Sequence, residues 1–492
     1  MKETRVYSFI KRNIDIIFLF TIAIIVLGMT SKNSPLYPLN DWGDANSFFT
    51  LGKGMMNGLV PYKDLFDHKG PFLYLIYGIG YLISNQSFLG VFLLELIFFT
   101  VFLMFAKKTI LLFTDKKRHI YVFLPAFAAV LCTIPAFAHG GSAEEFMLPL
   151  LMISLYHFVN FLKNDILNNK IIFIDGILFG IVFLTKFTLC GLWLAYMLFL
   201  FIEMLIRRKK KEAFLYPLIF IAGAMIPFLI FSTYFLINNA FSEFIYTYLY
   251  INIFSYGGLN SSIFGKIADI VSAIKFNLLA SNFIVLTLFI YSLLALIKTK
   301  LEVRYKAYIF GTLLLMALLM FFGGQLHIYY SLNLYIFLIF ISAYPSSFKL
   351  SKDLFNYLYP CFIIVLLIYT FSNANYAKMI GLRQSETVQY KFAAIINEKQ
   401  NPTILTYDFI DTGFYMAANT LPNHKYFILT NIETFKENRE EQKSYLESGE
   451  IDFVICFNIE NNIPPEIDNY LLIKTFYQED CCYYYLYEKK KH

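Results

Sequence analysis

Eleven apolar runs, each long enough or nearly long enough to cross a lipid bilayer, govern what this chain can become. They cover residues 14–30, 88–106, 120–138, 145–162, 171–186, 190–206, 214–236, 280–298, 306–322, 328–345 and 355–373. The hydrocarbon core of a bilayer is about 30 Å thick, and a helix needs about 20 apolar residues to span it. Hydrocarbon offers no partner to backbone N–H and C=O groups, so each run must close its own hydrogen bonds as a helix. A membrane β-barrel would show segments of alternating polarity instead. Composition agrees, with 58% of 492 residues hydrophobic and 15% charged, against about 25% charged in soluble domains. A soluble enzyme, a disordered chain, a collagen-like fibre and a disulfide scaffold are excluded. The chain reads as a polytopic α-helical membrane protein with about eleven transmembrane helices.

Charge sets the expected orientation. The net charge is +6, but residues 374–492 hold 12 Lys/Arg against 17 Asp/Glu, which leaves 29 against 18 in the remainder. The excess lies in alternate loops. Lys2, Arg5, Lys11 and Arg12 precede the first run, and Lys107, Lys108, Lys116, Lys117 and Arg118 follow the second. Lys163 and Lys170 come after the fourth, the basic run 207–211 after the sixth, and Lys298, Lys300, Arg304 and Lys306 after the eighth. Lys349 and Lys352 come after the tenth. The positive-inside rule assigns all of them to the cytoplasm, with the N-terminus inside and the C-terminus outside. This is a topology signal, not a nucleic-acid footprint. The first run has no small-residue cleavage site and reads as a retained helix. Residues 71–84 are apolar but short, which fits an interfacial or re-entrant helix.

The outer face then receives loops 31–70, 139–144, 237–279 and 323–328, and the tail. The tail, 374–492, has helix-like stretches at 386–398 and 433–446 and strand-like runs at 403–407, 426–430, 453–457, 471–476 and 483–487. Helices alternating with strands predict a small extracytoplasmic α/β domain behind a membrane domain of residues 1–373. Of six cysteines, Cys132, Cys190 and Cys361 lie in apolar runs and Cys481 and Cys482 are neighbours, so no disulfide framework or zinc site is expected.

The first outer loop carries the densest ionisable sequence. It contains Asp41, Asp44, Gly58-Leu59-Val60-Pro61-Tyr62-Lys63-Asp64, and Asp67-His68-Lys69-Gly70-Pro71. Its middle, 45–57, predicts an amphipathic helix lying on the bilayer, with Asp44 at or near its N-cap.

An acidic residue soon after the first span, a small-residue helix, Gly-x-x-Pro-Tyr-x-Asp and then Lys-Gly-Pro resemble the GT-C glycosyltransferases, in the branch of protein O-mannosyltransferases and the lipid A aminoarabinose transferase. His139-Gly140-Gly141-Ser142-Ala143-Glu144-Glu145 and Gly176-Ile177-Leu178-Phe179-Gly180 through Thr185-Lys186 are similar to that branch too. The chain departs from it at Ala45, where relatives usually carry a second acid, and at Gly70, where the aminoarabinose type has proline. The resemblance implies an inverting hexosyl- or pentosyltransferase that moves a sugar from a polyprenyl-phosphate donor to a cell-envelope glycan, lipid or protein acceptor. It implies Asp44 as the catalytic base, Lys69 with His68 and Lys186 on the donor phosphate, and Glu144, Glu145, His327 and Tyr62 at the substrates. Rival readings are a transporter or flippase of lipid-linked glycan, which predicts repeat symmetry the sequence lacks, and a glycan polymerase or ligase, which calls for an Arg-rich late loop.

Each residue also has a plainer role. Asp44 fits a helix cap, and Asp41 a capping or surface residue. Glu144 and Glu145 fit a pair favoured by a helix dipole. Lys186 fits snorkelling to the interface, and His327 an interfacial structural histidine. Asp64, Asp67 and His68, at i, i+3 and i+4, fit local hydrogen bonding as well as a divalent metal, and no metal or other cofactor is assigned. Glu95 lies within a span, where charge is costly and is usually functional or paired.

Overall fold

The computed structural model describes residues 5–114, 117–256, 263–280, 283–322, 326–343, 352–430, 432, 437–458, 466–478 and 482–490. Lys2, Lys116, Lys349, Cys481, the stretch 323–325 of one predicted outer loop and 433–436 of one predicted helix lie outside them.

The described residues of all eleven apolar runs are mainly helical. In chain order the helices are α1 (Arg5–Thr30), α2 (Gly43–Met56), α3 (Pro71–Ile83), α4 (Leu89–Leu111), α5 (Lys117–Thr133), α6 (Ala143–Asn164), α7 (Asn169–Lys186) and α8 (Gly191–Ile206). There follow α9 (Lys210–Ile237), α10 (Phe241–Phe244), a π-helical stretch Ile245–Tyr256, α11 (Ile263–Ala280), α12 (Phe283–Ile297), α13 (Val303–Met320), a 3-10 helix Ile328–Ala343 and α14 (Lys352–Ser372). Among the described residues seven stretches are long and apolar enough to cross a membrane: those of α1, α4, α6, α9, α13 and α14, and the joined stretch Asn169–Ile206. Four further apolar helices are shorter, including α3, whose 13 residues reach only about 20 Å.

The chain divides into two compact units. The first comprises Met1–Ser31, Leu94–Ile230 and Ser261–Lys378, and the second Lys32–Leu93, Phe231–Asn260 and Met379–His492.

Small residues let helices of the first unit approach closely, as membrane packing requires. A Cβ on Gly176 would lie 2.1 Å from the Phe220 carbonyl, one on Gly180 2.5 Å from that of Ala224, and one on Gly223 2.2 Å from that of Phe173. The Gly176/Gly180 pair is therefore a packing seam between α7 and α9. Two buried carboxylates in this unit are partnered. Ser31 Oγ donates to both Glu95 oxygens at 3.1 and 3.0 Å. Ser154 Oγ donates to Asp175 Oδ1 at 2.6 Å, with His157 Nδ1 3.0 Å from the same oxygen.

In the second unit the tail forms α15 (Val388–Ile396), β1 (Ile404–Thr406), α16 (Phe414–Ala417), α17 (Glu437–Ser448), β2 (Phe453–Asn458), β3 (Tyr470–Gln478) and β4 (Cys482–Lys489). The sheet order is β1-β2-β4-β3, with β1 parallel to β2 and the other pairs antiparallel. Four of the five strand-like runs are strands. The fifth, 426–430, is not: its backbone is satisfied by side chains and loop contacts rather than a ladder. Thr406 Oγ1 donates to the Phe427 carbonyl at 2.9 Å, Gln442 Nε2 to that of Tyr426 at 3.0 Å, and Leu429 N–H to that of Phe409 at 3.0 Å. Cys482 is disulfide-bonded.

The loop helix α2 corrects one expectation. It forms where the pattern placed it, but every residue from Ala45 to Gly54 is buried, so it does not lie on a surface. The N-cap is Trp42, without a side-chain cap bond, and Asp44 stands in the first turn. The helix ends at Gly58, whose φ of +89° suits glycine, and Leu59 N–H closes back on the Gly54 carbonyl at 2.9 Å, a Schellman-type stop.

Candidate active site

The loop from Gly58 to Pro71 is a set of nested turns that hold three ionisable side chains near the start of α2. Asp64 Oδ2 accepts the Val60 N–H at 2.7 Å and closes the first turn. Tyr62, at φ +71°, is fully buried, and its hydroxyl donates to the Lys69 carbonyl at 2.6 Å. Asn252 Nδ2, from the π-helical stretch, donates to the His68 carbonyl at 2.6 Å. Pro71 then opens α3 at N1, where its missing N–H is no loss.

These anchors fix a short relay. Asp67 is buried; its Oδ2 accepts from the Tyr74 hydroxyl at 3.1 Å and its Oδ1 from the His68 N–H at 2.7 Å. The His68 Nδ1 stands 3.3 Å from the same Oδ1, and its Nε2 stands 3.1 Å from Lys69 Nζ. Burial lowers the His68 pKa and the Lys69 charge lowers it further, against the opposing fields of Asp67 and Asp44. The ring is therefore neutral at neutral pH, and its Nε2 accepts from the Lys69 ammonium. Burial pushes the Asp67 carboxyl up, but the hydrogen bonds from His68 and the charge of Lys69 oppose it, and its pKa is lowered. Asp44 and Lys69 are both half-buried and both act electrostatically on His68. The structure thus brings Asp44, His68 and Lys69 together and sets Tyr62 behind them.

A second cluster belongs to the first unit. Glu144, in the first turn of α6, is ion-paired with Lys186 at the end of α7, both side chains largely buried. Lys186 Nζ sits 3.2 Å from the centroid of the Tyr330 ring and 5.6 Å from that of Tyr329. His327 stacks on the Tyr329 ring, centroids 5.4 Å apart, and lies tilted against the Tyr330 ring at 5.2 Å. Glu145 is occupied differently: its Oε2 accepts the Gly141 N–H at 2.7 Å while its own N–H donates to Ser142 Oγ at 3.0 Å, a reciprocal cap for α6.

Sequence reasoning missed several groups in the second unit. Lys32 is 2% exposed and ion-paired with Asp41; burial pulls its ammonium down despite that partner. Lys53 on α2 donates to Asn419 Oδ1 at 2.9 Å and to the Thr420 carbonyl at 3.2 Å, and burial pushes it down to about 8. Asp411 is fully buried, accepts the Phe414 N–H at 2.9 Å, and is pushed up to about 7 by burial. No local pattern marks any of them, because their partners are remote in sequence or lie in irregular turns. Among the described residues no group of three or more His, Cys, Asp or Glu is arranged to hold a metal ion.

The helices define a multi-pass membrane protein. No protein family matches the chain by sequence profile, and no curated protein matches it by sequence. Solved structures do match. ArnT from Cupriavidus metallidurans, bound to undecaprenyl phosphate, aligns over 97% of this chain and 98% of its own, with a TM-score of 0.54 at 11% identity. Its apo state gives the same values. An oligosaccharyltransferase from Archaeoglobus fulgidus in the apo form aligns over 91% of this chain and 70% of its own, with a TM-score of 0.47 at 13% identity. The chain has the fold of ArnT, an aminoarabinose transferase, and the expected GT-C likeness holds at the level of the fold.

Proposed function

We propose that the protein is a membrane glycosyltransferase. It moves a hexose or pentose from a polyprenyl-phosphate carrier to a cell-envelope glycan, lipid or protein, at the outer face of the plasma membrane. The observation that carries this reading is that a carboxylate and an ammonium, Asp44 and Lys69, both act electrostatically on the buried His68, with Lys69 Nζ 3.1 Å from its Nε2. The fold shared with ArnT, whose structure holds undecaprenyl phosphate, supports the choice of donor.

The chemistry follows from these groups. The acceptor oxygen attacks the anomeric carbon from the face opposite the carrier phosphate. Its proton passes to the Asp44 carboxylate, the general base. The bond from carbon to phosphate oxygen breaks, and the electron pair leaves with the polyprenyl phosphate. Lys69 meets that charge, and His68, which accepts one ammonium hydrogen bond, orients the ammonium toward the phosphate. Asp67 orients His68, and Tyr62 holds the Lys69 backbone. Within the first unit, Lys186 in its pair with Glu144 is a donor-phosphate cation in its own right, and His327 lines the same cluster. Glu145 keeps the start of α6 in form. The N-terminus lies in the cytoplasm and residues 374–492 outside, where they help to receive the acceptor.

The test is Asp44→Asn, assayed in membranes where insertion is verified, with a panel of labelled polyprenyl-phospho-sugars. Loss of a general base costs about 10²–10⁴ in rate. Undiminished transfer removes Asp44 as the base. Labelling of residue 44 from the cytoplasmic side would overturn the orientation.

A further inference from the structure

A cavity of about 530 Å³ opens in the first unit, and its lining shares no residue with either cluster described above. It is lined by Phe113, which follows α4; Leu162 and Lys163 near the end of α6; the loop from Lys298 to Glu302; Tyr305 in the first turn of α13; and Ala343 at the end of the 3-10 helix. These elements lie far apart in sequence. Their loops are those whose basic clusters predicted one common side of the membrane.

The charge in this cavity is unbalanced. Lys163, Lys298 and Lys300 all line it, and none of their ammonium groups has an ion-pair partner among the described residues. Lys163 Nζ only faces the Phe113 ring, 5.2 Å from its centroid. The one carboxylate in the lining, Glu302, is taken by Arg304 at 2.9 Å. The neighbouring acid Glu203 is likewise satisfied: it accepts from Arg207 Nε at 2.6 Å and from the Tyr305 and Tyr308 hydroxyls at 3.1 and 3.3 Å. Three like charges around one hollow repel unless an anion joins them. Phe113, Leu162, Leu301 and Ala343 supply apolar wall beside the charges, so the hollow suits a group that is anionic at one end and hydrocarbon at the other.

We propose that this cavity is a binding site for the phosphate headgroup of an anionic phospholipid. The lysines take the phosphate and the apolar wall takes the first part of the acyl chains. Basic pockets between membrane helices are suited to such headgroups. The site goes beyond the transferase reading, shares no residue with it, and stands or falls separately.

The full chain, purified in detergent, is exposed to phosphatidylglycerol or to phosphatidylcholine of the same acyl composition, and retained lipid is counted by native mass spectrometry. At least tenfold preference for phosphatidylglycerol is expected, lost in the triple variant Lys163→Ala/Lys298→Ala/Lys300→Ala and kept in the matching triple arginine variant. Lys300→Glu alone, with an unchanged melting temperature, serves should the triple variant not fold, and is expected to lower retention at least threefold. Equal retention of the two lipids, or full retention by the variants, overturns the proposal. Protection by inorganic phosphate with no lipid retained assigns the site to free phosphate and overturns the lipid.

Discussion

The helix carrying Asp44 rests on α3 through two glycines, and one methyl group tests how much that contact matters. A Cβ on Gly52 would lie 2.5 Å from the Gly78 nitrogen and 2.8 Å from both the Tyr74 carbonyl oxygen and the Tyr77 carbonyl carbon. All three are backbone atoms, so no side-chain rotation relieves the clash. Non-bonded carbon contacts prefer about 3.5–4.0 Å, so in Gly52→Ala the helices must part by about 1 Å. Overpacking of this kind costs about 1–3 kcal/mol. Asp44 lies on the same helix and moves with it, and a shift of about 1 Å in a reacting group costs on the order of 100-fold in rate. The assay is sugar transfer by membranes normalised for inserted protein, with thermal unfolding in detergent measured alongside. Gly28→Ala is the control: a Cβ there meets nothing within 4 Å, so activity is expected to hold and α1 to gain up to about 1 kcal/mol of helix propensity. Were Gly52→Ala to keep its transfer rate within threefold and its Tm unchanged, the claim that this contact positions Asp44 would fail.

Two other perturbations read separate parts of the molecule. Lys186→Gln strands the buried Glu144 carboxylate and is expected to cost about 3–5 kcal/mol; the double variant Glu144→Gln/Lys186→Gln should recover most of the melting temperature but not the transfer rate, and recovery of both would deny Lys186 a part in donor binding. Asp411, pushed up to about 7 by burial, holds a proton in the folded state that the unfolded carboxyl, near about 3.9, has lost. Its contribution to stability therefore falls as pH rises from about 4 to about 7 and levels off above, at about 1.4 kcal/mol per unit between the two values. Asp411→Asn should flatten that slope and melt higher at pH 8; a slope parallel to the parent chain would show that another group sets it.

Local chemistry carried a long way in this chain. The apolar runs are all helical because hydrocarbon leaves a backbone no other way to close its hydrogen bonds, a demand each run meets alone. The extent of α2 was legible to within two residues, since Gly58 stops it through its own left-handed backbone. The grouping of His68 with Lys69 follows from adjacency, and Asp44 comes from the first turn of α2, the helix that precedes their loop.

Burial and long-range partnering were not legible. An amphipathic reading of α2 left one face on the membrane, yet the helix is enclosed, and Lys53 on it bonds to Asn419 and Thr420 more than 360 residues away. The run 426–430 has strand composition, but Thr406 and Gln442 take its carbonyls before another strand can. Lys186 was a candidate from its position at a span end; that it would pair with Glu144 and lie on the Tyr330 ring follows only from how α6, α7 and the 3-10 helix pack. A residue's own neighbours decide which hydrogen bonds the backbone closes, so helices can be read from the chain; which side chains lose water, and whose charge meets whose, is decided by contacts between distant segments that no local pattern records.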